Sequence, residues 1–142
     1  FLGSRTNMNP EKINWLAVVA AALSTFALGG LWYSPLLFAK AWMRENGFTE
    51  EQVARFNKAR AFGGSFVLAL IMSANLAVFL GDDKTTVVWG MTAGALAGGG
   101  WVATSIGIIG LFENRSWTYI LINGGYKLVA FTIMGAILGA WR

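Results

Sequence analysis

One basic side chain stands inside the apolar part of this sequence. Lys127 lies in the run from Ser116 to Trp141, which holds no other charged residue, ten residues or about 15 Å of helix from Trp117 and fourteen from Trp141. An ammonium so placed can hold an anion, donate hydrogen bonds or mark a polar path, and insertion at a bilayer centre costs ~2.5 to 3.5 kcal/mol. Asn123 is one helical turn away on the same face, and Tyr126, Tyr119 and Ser116 widen that face into a polar stripe. Asn75, Tyr33, Ser34, Thr104 and Ser105 are the groups of other segments that could meet it. None of the long apolar runs contains Asp or Glu, so its partners are expected to be neutral. Three roles stay open: a hydrogen-bonded knot, a ligand site in a wet cavity, or a place on an oligomer axis.

Other chemistry is thinly represented. The chain has no His and no Cys, which removes tetrahedral metal sites, disulfides and thiol nucleophiles. It has no HExxH, no glycine loop followed by Lys-Ser or Lys-Thr, and no carboxylate pair in an apolar run. Asp82 and Asp83 read as turn residues. No catalytic residue, metal, cofactor or nucleic-acid partner is expected, and the chain is not expected to be an enzyme.

The elements that must position Lys127 follow from hydropathy. With 56% hydrophobic and 13% charged residues in 142, the chain is too apolar for an ordinary soluble domain. Four runs reach the roughly 20 residues needed to cross a bilayer: Ile13 to Tyr33, Ala61 to Leu80, Thr85 to Phe112 and Ser116 to Trp141. The first three contain no charged residue at all. The expected fold is therefore all-α: a polytopic membrane protein of four transmembrane helices plus a short interfacial helix in the 1-2 loop. Residues 8–142 read as one domain. Residues 1–7, ahead of Met8-Asn9-Pro10, read as a leader or an expression remnant.

Connections and charges refine this picture. Gly81-Asp82-Asp83-Lys84 and Glu113-Asn114-Arg115 are short turns, which predicts that spans 2, 3 and 4 pack as consecutive neighbours. Ser34-Pro35 suits the start of a helix in which Leu36, Leu37, Phe38, Trp42 and Met43 interleave with Lys40 and Arg44, with Gly47 placed to stop it. Thr49-Glu50-Glu51-Gln52 has the spacing of a capping box, and its helix is expected to run on into span 2. Lys40, Arg44, Arg55, Lys58, Arg60 and Arg115 on one side outweigh Arg5, Lys12, Lys84 and Arg142 on the other. The 1-2 loop is thus expected in the cytoplasm and both termini outside. Gly90, Gly94 and Gly98 in span 3, with Gly135 and Gly139 in span 4, permit close approach of helix backbones, either within one chain or in a homo-oligomer.

The block Gly30-Leu31-Trp32-Tyr33-Ser34-Pro35-Leu36-Leu37-Phe38-Ala39-Lys40-Ala41-Trp42 resembles a family of small bacterial membrane proteins known only as a domain of unknown function. Asn14-Trp15-Leu16-Ala17-Val18 resembles its opening. The stretch from Leu111-Phe112-Glu113-Asn114-Arg115-Ser116-Trp117 through Ile122-Asn123-Gly124-Gly125-Tyr126 to Met134-Gly135-Ala136-Ile137-Leu138 resembles its ending. The resemblance implies a four-helix protein of the bacterial inner membrane and supplies no activity.

The expected function is a homo-oligomeric membrane protein with a polar intramembrane site around Lys127, Asn123, Tyr126, Asn75 and Tyr33, serving as a solute or ion pathway or as a lipid or quinone pocket. The alternative is a non-transporting structural or accessory protein that binds membrane lipid or a partner protein. Sidedness is directly testable. A cysteine replacing Asn57 should resist impermeant thiol reagents in intact cells, and ready labelling from outside would reverse the topology.

Overall fold

The computed structural model describes residues 13–142. The suggested leader, the Met8 start, and the charges Arg5 and Lys12 lie outside them. The architecture is all-helical: α1 (Trp15–Trp32), α2 (Ala39–Asn46), α3 (Glu50–Ala54), α4 (Lys58–Phe79), α5 (Val87–Phe112) and α6 (Trp117–Ala140). Four of these, α1, α4, α5 and α6, are long and apolar enough to cross a membrane. Each starts on a side-chain cap that absorbs otherwise unpaired N–H groups: Asn14, Asn57, Thr86 and Ser116.

The 1-2 connection differs from the sequence reading at two points. Ser34 does not cap a helix, because its hydroxyl turns back to Leu31 O at 2.6 Å and the chain coils as turns until Ala39. Phe38, held by its N–H on Trp32 O and by its ring 4.9 Å from that of Trp32, delays the helix by four residues. Gly47 ends α2 in the left-handed conformation at φ 71°, where a Cβ would be strained. The capping box forms as expected, with Gln52 N–H donating to Thr49 Oγ1 and Thr49 N–H to Gln52 Oε1. Its helix, however, does not run on into span 2. It stops at Ala54, and α4 begins afresh at Lys58 on the Asn57 cap.

Helix order is the main correction. Although the turn between them is short, α4 and α5 do not pack together. α6 takes the centre, meeting α5 along most of its length and α1 over a long seam, while α4 leans on α1. The reason lies in side-chain size. A Cβ at Gly90 or Gly94 would collide with the backbone carbonyls of Gly135 and Phe131, and one at Gly135 with Gly90 O. A Cβ at Gly98 would lie 2.6 Å from Phe131 Cβ, and one at Gly139 2.6 Å from Thr86 O. All five glycines named from sequence are therefore used between α5 and α6 of one chain, where bare backbones gain dispersion contacts that bulkier residues would forbid.

The core lies where α1, α4 and α6 converge: Ala17, Val18, Ala21, Leu76, Ala77, Leu80, Phe131, Met134 and Leu138. Ser73, fully buried, donates to Val18 O at 2.8 Å and staples α4 to α1. The two ends of the bundle are tied separately. At one, Asn14 Nδ2 reaches Trp141 O, and the Arg142 guanidinium donates to the carbonyls of Leu80 and Asp82. At the other, Ser116 donates to Glu45 at 2.5 Å and joins α2 to α6. Asp82 and Asp83 are turn residues, Asp82 accepting from Lys84 N–H and the Thr85 hydroxyl.

Gly94→Leu should cost about 3 kcal/mol or more, since neither backbone can withdraw without separating α5 from α6. Gly64→Ala, where a Cβ meets nothing within 4 Å, should be neutral or slightly stabilising. Thermal unfolding in detergent distinguishes them, and equal stability of the Leu variant and wild type would refute the packing argument.

Candidate functional site

The site is built from an elbow and a helix. At the end of α1, Trp32 and Tyr33 turn inward onto α6. Trp32 Nε1 donates to Ile122 O at 2.9 Å and the Tyr33 hydroxyl to Asn123 Oδ1 at 2.6 Å. Small residues make room, because a Cβ on Gly125 would lie 3.2 Å from the Trp32 ring and one on Gly29 3.2 Å from the Tyr126 hydroxyl. Tyr126 completes the seam by donating to Thr25 O at 2.8 Å, and its ring lies 5.4 Å from that of Tyr33, edge to face.

Lys127 is next along α6 and lines a cavity of about 490 Å³ between α1, α4 and α6. Thr25, Phe26, Gly29, Gly30 and Tyr33 line it from α1; Phe62, Ser65, Leu68, Ala69 and Met72 from α4; and Tyr126, Lys127, Ala130, Phe131 and Met134 from α6. The ammonium sits 5.2 Å from the centre of the Tyr126 ring, within cation–π range. Among the described residues it has no hydrogen-bond acceptor and no carboxylate partner. Three donors in a half-buried position are thus left for whatever fills the cavity.

Sequence reasoning placed five residues here, and the structure gathers three of them on the cavity wall: Lys127, Tyr126 and Tyr33. Asn123 is nearby but occupied, its oxygen by Tyr33 and its amide by Tyr119 O at 3.1 Å. Asn75 stands apart, exposed on the outside of α4 with its amide bonded to Ile71 O of its own helix. Thr104 and Ser105 are elsewhere too. The middle of α5, Gly98–Ala103, winds as a π-helix, and both hydroxyls bond its carbonyls at Gly100 and Trp101. The wider turn misaligns those carbonyls, and the hydroxyls satisfy them. Ser65, Met72 and the Thr25 carbonyl were not foreseen. The pairs Gly29-Gly30 and Gly124-Gly125, flanking the aromatic residues, were the available signal.

Outside the spans, Glu45 bridges α2 to the start of α6. The hydrogen bond from Ser116, helped by neighbouring Arg44, holds its carboxyl below the usual carboxylate range. At the opposite end of the bundle a second hollow of about 310 Å³ is lined by Asn14, Asp83, Thr85 and Arg142, among others. The two hollows are separated by the packed core, in which Met134, Ala21 and Leu80 are essentially inaccessible.

An all-helical chain with four membrane-length helices and a lysine-floored cavity between three of them is the class of protein that fold and site define. Residues 16–139 match a family described as Protein of unknown function (DUF1761), and the chain belongs to that family. Comparison with curated proteins and with solved structures gave no match.

The elbow generates a contrast between two polar residues. Tyr33→Phe, which strands the oxygen of Asn123, should lower stability by about 1 to 2 kcal/mol. Asn75→Ala should change it by less than about 0.5 kcal/mol. Denaturation of the two variants side by side provides the check, and the reverse order would show that Asn75 carries the buried contact.

Proposed function

We propose that this is a multi-pass protein of the bacterial inner membrane that binds an anionic ligand in the pocket floored by Lys127, without catalysing a reaction. The 1-2 loop faces the cytoplasm in this reading, and α2 lies at the membrane surface. The carrying observation is a lysine on the wall of a cavity of about 490 Å³ whose ammonium has no protein acceptor among the described residues. That volume falls in the range of roughly 300–1,000 Å³ common for small-molecule sites. A purely structural lysine would be expected to spend its donors on neighbouring carbonyls, as Trp32 and Tyr126 do. Binding is favoured over a continuous pathway because apolar packing around Met134 and Leu80 closes the bundle beyond the pocket. One chain supplies the whole pocket, so the reading does not depend on self-association.

A non-transporting accessory role is the second reading, and it draws on the elbow. Every polar group of Trp32, Tyr33 and Asn123 that bridges to another helix is satisfied within the chain, as in a rigid platform.

Lys127→Gln and Lys127→Leu separate ligand binding from a structural knot. Under the binding reading both variants stay folded, within about 1 kcal/mol of wild type or above it, because a costly charge is removed and no hydrogen bond is lost. Both should also lose any anion that copurifies with wild type, as read by native mass spectrometry. If Leu unfolds the protein while Gln does not, the lysine is a structural donor. If the bound species are unchanged in both, the pocket is not the site.

A further inference from the structure

The shape of the pocket narrows the chemistry of its ligand. Its sides are covered unequally. Toward the 1-2 loop Tyr126 and Tyr33 bound it, their rings 5.4 Å apart, and an aromatic relay continues from Tyr33 to Trp42 at 6.0 Å, Trp42 to Phe48 at 5.4 Å and Phe48 to Phe56 at 5.3 Å. Along the seam between α1 and α4 Phe26 meets Phe62 and Phe66, and deeper Ser73 bonds Val18. Beyond Met134 lies the packed core.

The fourth side is the gap between α4 and α6, which meet only sparsely. The first half of α4 is exposed from Lys58 to Ser65, and packing against the bundle begins at Ala69. Leu68 lines the cavity and is nevertheless 59% exposed, so the cavity reaches the outer surface of α4. A gap along the flank of a membrane-length helix opens onto hydrocarbon, not water, so whatever enters there must be soluble in lipid.

The lining is divided in the same sense. Lys127 is the one charged side chain among the described residues that line it, while Leu68, Ala69, Met72 and Phe131 supply apolar surface. Methionines fill space adaptably and suit a flexible chain.

From this division and opening we infer that the ligand is a single-chain amphiphile with an anionic head, which slips in sideways between α4 and α6. Its head rests on Lys127 and its tail lies along Leu68, Ala69 and Met72. This rests on the reading of Lys127 as an anion site, and adds the tail and the route.

The test uses the full chain in phosphatidylcholine nanodiscs and a fatty acid bearing a diazirine near the end of its tail. After illumination, adducts mapped by peptide mass spectrometry should fall on Leu68, Ala69 and Met72. Unlabelled laurate should compete, while acetate and dodecanol should not. Lys127→Gln should reduce these adducts about tenfold, the worth of a charge-assisted hydrogen bond. Met72→Trp, which fills the apolar part of the cavity and keeps the lysine, should also exclude the probe. If acetate competes as well as laurate, and does so only with Lys127 present, the anion site stands and the amphiphile inference is wrong. If adducts scatter over outward residues such as Val67, Ile71 and Leu121 regardless of residue 127, both are wrong.

Discussion

Bare backbone contact between α5 and α6 is the constraint from which the rest of the arrangement follows. Carbonyls and α-carbons of Gly90, Gly94 and Gly98 lie against those of Gly135, Phe131 and Lys127, and no side chain larger than hydrogen fits between them. In a lipid environment, where apolar burial gives helices little reason to associate, such contact is among the few strong sources of attraction. It fixes one face of α6 on α5. The remaining faces of α6 are then free to receive α1 and, near the Phe131–Met134 level, the inner half of α4.

With α6 placed, the elbow after α1 sets the depth and rotation of the polar groups. The Trp32 indole on Ile122 O and the Tyr33 hydroxyl on Asn123 are directional, and their partners sit on successive residues of one turn. They orient α6 so that Tyr126 reaches Thr25 O and Lys127, one residue on, joins the cavity wall. The aromatic residues are thereby both anchors and wall. Thr25, Trp32, Tyr33, Asn123 and Tyr126 each find an acceptor; the lysine, which has none among the described residues, is the charged group whose chemistry is left over.

The leaning of α4 gives that chemistry a space. Its inner half carries small or compact residues at the seam, Ala69, Ser73 and Ala77, and packs closely on α1. Its outer half presents Phe62 and Phe66 to Phe26, and these rings hold the helices apart. A close contact at one end and a bulky one at the other make a wedge, and the wedge is the cavity.

Much of this was legible in the chain itself. Four charge-poor runs of membrane length, the caps at Thr49 and Gly47, the turn role of Asp82, and the family resemblance each rest on local composition or spacing, which does not depend on neighbours. The isolation of Lys127 was equally plain, since no carboxylate exists in the spans to pair with it. What sequence spacing could not supply was which helix faces which. A short turn between α4 and α5 suggested adjacency, yet the glycine faces of α5 and α6 fit each other more closely than α4 fits either, and shape complementarity overrode loop length. For the same reason Asn75 and Asn123, equal as polar residues in an apolar run, separated into an outward group bonded to its own helix and an inward one held by Tyr33. Residue types and their periods decided that the helices form and where a charge would be stranded; only packing decided that the stranded charge has a cavity in front of it.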